Sequence, residues 1–332
     1  MQLTPIRHVA IIGSGIAGLS LAIGLQTMGI KVSLLDKSRG PGGRLSSKRV
    51  PGGSVDIGAQ YFTIRNPRFQ QFLDQYAGTE SYRKWTPVLF YEQEPGLPQP
   101  FQVAERYVGV PRMTGVSRAL SQHVEPTYQL RVDRVEQMQQ QWQITDDQQN
   151  MVGCYDAVVI TAPPEQTREL TRTLPVVQQG LTGFAMEPTW TVALLFSQPL
   201  SLAFDGMSLK DSVLGWVARD ASKPERDSGE WWVLHATSTW SAAHQDDSPE
   251  QVIAAMIQAF AERFNHGQTA VEVISHRWLY ARPARGCPQS GFLSFHQDRL
   301  AVCGDWLNGG RVEGAWESAN QLLEHWRKEQ LV

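Results

Sequence analysis

The sequence predicts an α/β fold whose first and last segments build one parallel-sheet domain, with a second, sheet-based domain inserted between them. Three observations carry that prediction. The apolar run His8-Val9-Ala10-Ile11-Ile12 enters a glycine turn, Gly13-Ser14-Gly15-Ile16-Ala17-Gly18, and an acid, Asp36, ends the next apolar run. A second glycine turn lies near the far end, where Val302-Cys303-Gly304-Asp305 precedes Gly309-Gly310-Arg311-Val312. Strand-like runs separated by turn residues fill the chain between these two turns.

Taken in order, Val9–Ile12 reads as a buried parallel strand, because it is short, apolar and stopped by glycine. A helix over Ile16–Met28 follows, with Gly29 at its C′ position, and then a second buried strand, Val32–Leu35. Strand, glycine turn, helix, strand and terminal acid make up the Rossmann βαβ unit. Asn66 and Pro67 start a helix that runs to about Tyr76, as N-cap and first helical residue. Trp85–Tyr91 and Glu105–Val108 read as strands around a Pro-rich loop at 94–100. Thr114 caps a helix to about His123. Tyr128–Val135, Trp142–Thr145 and Tyr155–Thr161 read as strands, with a polar hairpin end at Gln137–Gln143. Trp190–Phe196, Val213–Val217 and Trp231–Ala236 continue the strand pattern. Ser248 and Gln251 form a capping-box pair for a helix to about Phe264. Val271–Tyr280 and Leu300–Cys303 return to strand, and Glu313–Lys328 closes as a helix. The expected domains are residues 1–65, 110–165 and 272–332 for the dinucleotide unit, and 66–109 and 166–271 for the inserted one.

The composition fits this size of fold. The chain has 332 residues and 42% hydrophobic content, enough for about two cored domains. A net charge of −3 gives no reason to expect nucleic acid or an anionic membrane as partner. The three cysteines, Cys154, Cys287 and Cys303, have neither disulfide nor metal spacing. No metal is expected, and the expected location is the cytoplasm. The apolar stretch at 8–30 could pass for a signal peptide or a membrane span, but its glycines suit a strand, turn and helix better. The oligomeric state is left open.

The motifs point to FAD. Gly13 allows the tight turn, Gly15 lets backbone approach a pyrophosphate, and Gly18 lets helix and strand pack closely. Phosphates would lie on the free N–H groups of Ile16 and Ala17, where the helix dipole favours negative charge. Asp36 can accept hydrogen bonds from the adenosine ribose. Lys37 and Arg39 belong to the following loop and read as groove residues or as solvated ones. In Gly42-Gly43-Arg44, Gly43 brings the loop close to the cofactor and Arg44 reaches its phosphates. Val135 can pack on the adenine edge, or lie in ordinary sheet core. At the far end, Gly304 and Asp305 follow a buried strand, where Asp305 can bond the ribityl chain or simply cap a turn. Arg311 and Val312 place a helix N-terminus at the pyrimidine edge of the flavin ring.

These residues resemble the flavin amine-oxidase superfamily, and within it the bacterial renalase branch. The resemblance spans nearly the whole chain. It rests on Asp36 to Gly40, Ser46 to Arg49, Asp56 to Thr63, Pro188 to Trp190, Arg219 through Pro224, His235 to Ser238, Trp278 to Pro283 and Gly310 to Trp316. It implies a p-hydroxybenzoate-hydroxylase-like fold and non-covalent FAD. It also implies an oxidase of the 2-dihydro and 6-dihydro isomers of NAD(P)H, which returns NAD(P)+ and passes electrons to O2 as hydrogen peroxide, a metabolite-repair role. In monoamine-type oxidases a substrate-domain strand carries a lysine near the flavin. The corresponding run here, Met186–Phe196, has none. A dihydropyridine becomes aromatic by losing hydride alone, so it requires no base, and the flavin N5 is the expected acceptor with no catalytic side chain.

The same resemblance sets the expected substrate site. Gln60, Tyr61, Phe62 and Thr63, continuing through Ile64 and Arg65, form the wall facing the reactive ring, with Gln60 also touching the flavin; Tyr61 and Phe62 read alternatively as inter-domain core. Thr189 and Trp190 approach the nicotinamide ribose. Tyr280 and Arg282 lie where the chain returns to the flavin, and Arg65, Arg282 and Lys223 are phosphate candidates or solvated charges. Two other readings stay open: a flavin oxidase or dehydrogenase of an amine or other small molecule, and a flavin-binding sensor without catalysis.

Overall fold

A computed structural model describes residues 5–102, 104–226, 229–297 and 299–332. Its first sheet has five strands in the spatial order Phe292–Phe295, Leu300–Cys303, Ala157–Ile160, His8–Ile12 and Lys31–Leu35. All neighbours are parallel except the first pair. The three middle strands are almost wholly buried, which is why they read as unbroken apolar runs. On one face lie the helices Ile16–Thr27 and Val312–Lys328. Gly24 lets them meet, because a Cβ there would stand 2.3 Å from Leu323 Cδ1. The other face is covered by a three-stranded sheet, Val132–Met138, Gln141–Asp146 and Met151–Tyr155, through Val135, Trp142 and Ile144.

The second large sheet has seven strands in the order Glu272–Pro283, Met186–Phe196, Glu230–Ala236, Leu214–Arg219, Gly206–Ser208, Leu89–Glu94 and Leu97–Pro100. Side chains alternate between its faces. Val192, Leu194, Trp232 and Leu234 pack with Met256 and Phe260 of the helix Pro249–Phe264. Ala193, Trp231 and Val233 face the other way, onto Val55 and Ile57 of the first domain. The Ser248–Gln251 capping box is present as expected.

Three expected boundaries move. Glu272–Pro283 pairs along Met186–Phe196, so the inserted sheet extends past 272 and the chain leaves it only after Pro283. The helices Pro164–Leu170 and Pro175–Gly180 place Leu170, Val177, Leu181 and Phe184 in the core under the five-stranded sheet, so residues 166 to about 185 belong to the dinucleotide unit. Within 66–109, Phe69, Leu73, Tyr82, Trp85 and Val108 pack with Leu19, Leu322 and Trp326, and only the hairpin from Leu89 to Pro100 joins the inserted sheet. The supposed loop at 94–100 is mostly that hairpin's second strand, Leu97–Pro100. An apolar run shows that it will be buried, not which sheet buries it, and the two domains compete for the same kind of surface.

A buried ion cluster fastens the domains together. Lys223 Nζ donates to Asp220 at 2.7 Å, to Gln60 Oε1 at 2.9 Å and to Asp56 at 3.3 Å. Arg226 donates to Asp56 at 2.6 Å and to the Gly109 carbonyl at 2.8 Å. Two acids face two cations with almost no solvent contact, which is the arrangement that makes burying charge tolerable. Lys223 and Arg226 hold the Asp56 carboxyl below the usual carboxylate range against the opposing pull of burial, helped by Ser47 and the Met113 N–H. Lys223 is therefore a structural cation, not a phosphate ligand.

Candidate functional site

A groove of about 1010 Å³ runs along the C-terminal ends of the five-stranded sheet and reaches the edge of the inserted sheet. Its floor is the first glycine turn. Gly13 has φ +111°, and a Cβ there would lie 2.5 Å from Thr161 Oγ1. A Cβ on Gly18 would strike the Gly13 carbonyl oxygen at 1.9 Å. A Cβ on Gly15 would meet nothing within 4 Å, because it would enter the groove. The helix beginning at Ile16 has no side-chain cap, so its first N–H groups, at Ile16 and Ala17 beside the groove, are free to bind an anion. The helix beginning at Val312 is likewise uncapped by a side chain, and Gly310, Arg311 and Val312 line the same groove. Two helix N-termini from opposite ends of the chain thus serve one cavity.

Asp36 is oriented before any ligand arrives. Its Oδ2 accepts from the Ser14 N–H and hydroxyl, both at 2.6 Å, and its Oδ1 from the Ser38 N–H at 2.7 Å. It lines the groove with Lys37, whose pKa is lowered by burial and by the nearby Arg131. The facing wall is Leu130, Arg131, Val132 and Asp133. Val135, expected at the adenine edge, is fully buried beneath the five-stranded sheet and does not line the groove. Its strand places Val132 and Asp133 there instead.

Across the groove the two halves of the sequence signature are tied directly. Arg44 Nη1 donates to Asp305 Oδ2 at 2.9 Å, Nη2 donates to Oδ1, and Nη1 also reaches the Ala281 carbonyl at 3.3 Å. Arg44 was expected to hold phosphates and Asp305 the ribityl chain. Both line the groove with Gly43 and Gly304, but the guanidinium fork is engaged by the carboxylate, a geometry that favours bidentate pairing.

The family described as "Flavin containing amine oxidoreductase" matches residues 103–321, and "NAD(P)-binding Rossmann-like domain" matches residues 11–76. The chain belongs to the flavin-containing amine oxidoreductase family. A hydroxyneurosporene desaturase of Rubrivivax gelatinosus is 38% identical over 86 residues, 25% of this chain and 16% of that protein. The bifunctional tRNA-modification protein MnmC of Chromohalobacter salexigens is 34% identical over 122 residues, 37% of this chain and 16% of that protein. The chain thus covers about a sixth of the length of these curated relatives. A protein assigned as a protoporphyrinogen oxidase from Exiguobacterium sp. 255-15 superposes with TM-score 0.76 at 14% identity, over 98% of this chain and 99% of that one. Wild-type putrescine oxidase superposes with TM-score 0.73 at 12% identity, over 97% and 99%. At such identities the likeness is one of fold.

FAD is the cofactor expected of a flavin-containing amine oxidoreductase of this fold, and the groove suits it. The space above Gly15 with the free helix start at Ile16, the free start at Val312 and the preset Asp36 match a pyrophosphate, a flavin edge and a ribose respectively. In this family member the substrate wall differs from the sequence expectation. Gln60 turns inward to Lys223 and to the Asp56 and Gly58 carbonyls. Phe62 is core, paired through its backbone to Tyr107. Thr63 and Ile64 are half-buried away from the groove, and Arg65 is exposed, with its backbone N–H held by Glu313 at 2.8 Å. Tyr61 lies among aromatic rings, 6.0 Å from Trp216 and 6.1 Å from Trp85. Thr189 bonds the Pro188 carbonyl, and Trp190 is buried on the helix-covered face with its Nε1 on the His244 carbonyl. Arg282 pairs with Glu187 at 3.0 Å, outside the groove. Tyr280 does line it.

Sequence reasoning missed the partners of Tyr280. His276 and Trp278 stand four and two residues earlier on the same strand and line the groove with it. Strand alternation from Tyr280 was the signal that could have found them. Burial, with Lys48 adding to it, lowers the His276 pKa, so it is neutral at pH 7. Among the described residues no group of three or more His, Cys, Asp or Glu side chains could hold a metal, and no helix is long and apolar enough to cross a membrane.

Proposed function

We propose that this flavoprotein oxidises the 2-dihydro and 6-dihydro isomers of NAD(P)H, returning NAD(P)+ and reducing O2 to hydrogen peroxide. The observation that carries the reading is that no strand of the inserted sheet brings a lysine to the groove. Met186–Phe196 contains no lysine, and Lys223 spends its protons on Asp220, Gln60 and Asp56. An ammonium substrate must lose a proton before or during oxidation. A dihydropyridine need only lose hydride, and its product gains aromaticity.

Bound FAD supplies the hydride acceptor and the route by which two electrons reach O2. With one proton taken from solvent, the sum is dihydro-NAD(P) plus O2 plus H+ giving NAD(P)+ plus H2O2. The chain's own part is positioning. The free N–H groups at Ile16 and Ala17 hold phosphate, Asp36 orients ribose, and the Arg44–Asp305 pair fixes the junction of the two halves. The uncapped start of Val312–Lys328 favours negative charge at the edge it faces. The nicotinamide enters past His276, Trp278 and Tyr280 at the end of the groove.

Anaerobic mixing of the yellow protein with each isomer, with ordinary NADH and with a panel of amines tests this. Rapid bleaching by the isomers alone is expected. Bleaching by an amine alone would overturn the proposal in favour of amine oxidation, and bleaching by nothing would favour a non-catalytic flavin protein.

A further inference from the structure

One face of the inserted sheet carries polar atoms that the fold leaves unsatisfied. In antiparallel register, His276 lies opposite Thr191, Thr191 opposite His235, and His235 opposite Trp216. Directly opposed residues share a face, so these four side chains form a row across the sheet, starting at the groove with His276. Thr191 Oγ1, His235 Nε2 and Trp216 Nε1 are all buried without a hydrogen-bond partner. The row ends at a fourth orphan. Arg106 is 8% exposed, forms no ion pair among the described residues, and leaves its Nε unbonded. Its guanidinium lies over the rings of Tyr61 and Phe101, at 5.4 and 5.3 Å, and both rings neighbour Trp216.

Buried polar groups are almost always satisfied, and four orphans in one contiguous strip imply something that satisfies them. The donors and acceptors say what it is. Trp216 Nε1 and Arg106 Nε only donate, so they require a carbonyl or carboxylate oxygen. The His235 imidazole is neutral, held down to about 4 by burial and by the Lys223 charge. A neutral imidazole carries one donor and one acceptor nitrogen, so the unpartnered Nε2 can take an N–H. Thr191 serves either way. The aromatic walls require a flat ring. The Arg106 guanidinium donates from Nη1 to the Ala104 carbonyl at 2.9 Å but has no carboxylate partner among the described residues, so its charge repels a second cation.

We propose that this row is the recognition site for an uncharged planar ring bearing a carboxamide, and that Arg106 rejects ammonium ions from it. The proposal deepens the function above and rests on it, because a dihydronicotinamide is such a ring. Its carbonyl accepts from Trp216 or Arg106, and its NH2 donates to His235. Oxidation turns the ring into a pyridinium cation, so the group that admits the substrate also disfavours the product and promotes its release.

Calorimetric titration of the FAD-loaded protein with nicotinamide and with benzylamine tests the site apart from the reaction. Nicotinamide is expected to bind at least about tenfold more tightly than benzylamine. Trp216→Phe, which keeps the ring and removes the donor, should weaken nicotinamide by about tenfold while leaving melting unchanged. Arg106→Met should bring benzylamine to within a few-fold of nicotinamide. Equal binding of both probes by the native protein, no nicotinamide binding at all, or an unchanged affinity in Trp216→Phe would overturn the proposal. If the probes behave as expected but the dihydro isomers leave the flavin oxidised, the site stands and the reaction assigned to it falls. Bleaching by the isomers with indifferent probes sinks the site alone.

Discussion

Arg44 and Asp305 are 261 residues apart and meet as a bidentate pair at the edge of the flavin groove. Removing Arg44 leaves the buried Asp305 carboxylate without its cation. Arg44→Ala should therefore lose FAD on desalting and also lower the melting temperature of the FAD-free protein, which a residue that touched only phosphate would not do. Spectra of the desalted protein and its melting curve check both. The buried cluster makes a harsher prediction. Asp56→Asn removes the carboxylate that faces both Lys223 and Arg226, and should cost about 3–5 kcal/mol of stability in denaturant titration. Gly13, Gly15, Ile16 and Ala17 of the first glycine turn and Gly304, Asp305, Arg311 and Val312 of the far turn line the groove, and Gly18 packs beneath it, because those motifs encode backbone geometry that only one local shape satisfies. Val135, Gln60 and Trp190 were misplaced for the opposite reason. Their residue types suit a core, an ion cluster and a ligand wall equally, and which of these surrounds them depends on strands far away in sequence.

At the level of elements, two helix starts and the strand Glu272–Pro283 define the site. Gly15 and Gly18 separate cofactor binding from folding within one turn. Gly15→Leu should fill the groove and weaken FAD by more than about tenfold without lowering the melting temperature of the FAD-free protein, since no atom lies within 4 Å of its Cβ position. Gly18→Ala should lower that temperature, because its Cβ would overlap the Gly13 carbonyl. Paired melting and FAD titration of the two variants distinguish these outcomes. The βαβ unit, the capping box and the closing helix were legible in the sequence because each is signalled locally, by glycine, Ser–Gln spacing or helical periodicity. The hairpin Ser47–Val50 with Gly53–Asp56, the short strand Gly206–Ser208 and the helices after Ala162 carry no such signal and were not foreseen. The row from His276 to Trp216 is likewise invisible before the strand pairing is known, since its four members lie on four separate strands.

For the whole molecule, acid sensitivity follows from histidines folded in neutral form. His8, His235, His266 and His276 are all held below the ordinary value, chiefly by burial. In the unfolded chain they take up protons near pH 6.5, while in the folded one they resist, so the unfolded state binds more protons and stability falls with pH. Their contribution is full above about pH 6.5 and declines on the way down toward pH 4, where His235 titrates in the fold. Melting temperature should therefore drop between pH 7 and pH 5, and His235→Asn should flatten that slope. The two domains, joined by the Asp56–Lys223 cluster and by the hydrogen bond from Arg44 to the Ala281 carbonyl, hold one groove whose sheet wall carries no lysine. Anaerobic stopped-flow mixing of the FAD-loaded protein with the 2- and 6-dihydro isomers of NAD(P)H, set against primary amines, tests that account most directly. Rapid loss of flavin absorbance with the isomers, and none with the amines, is the predicted result; reduction by an amine and not by the isomers would contradict it.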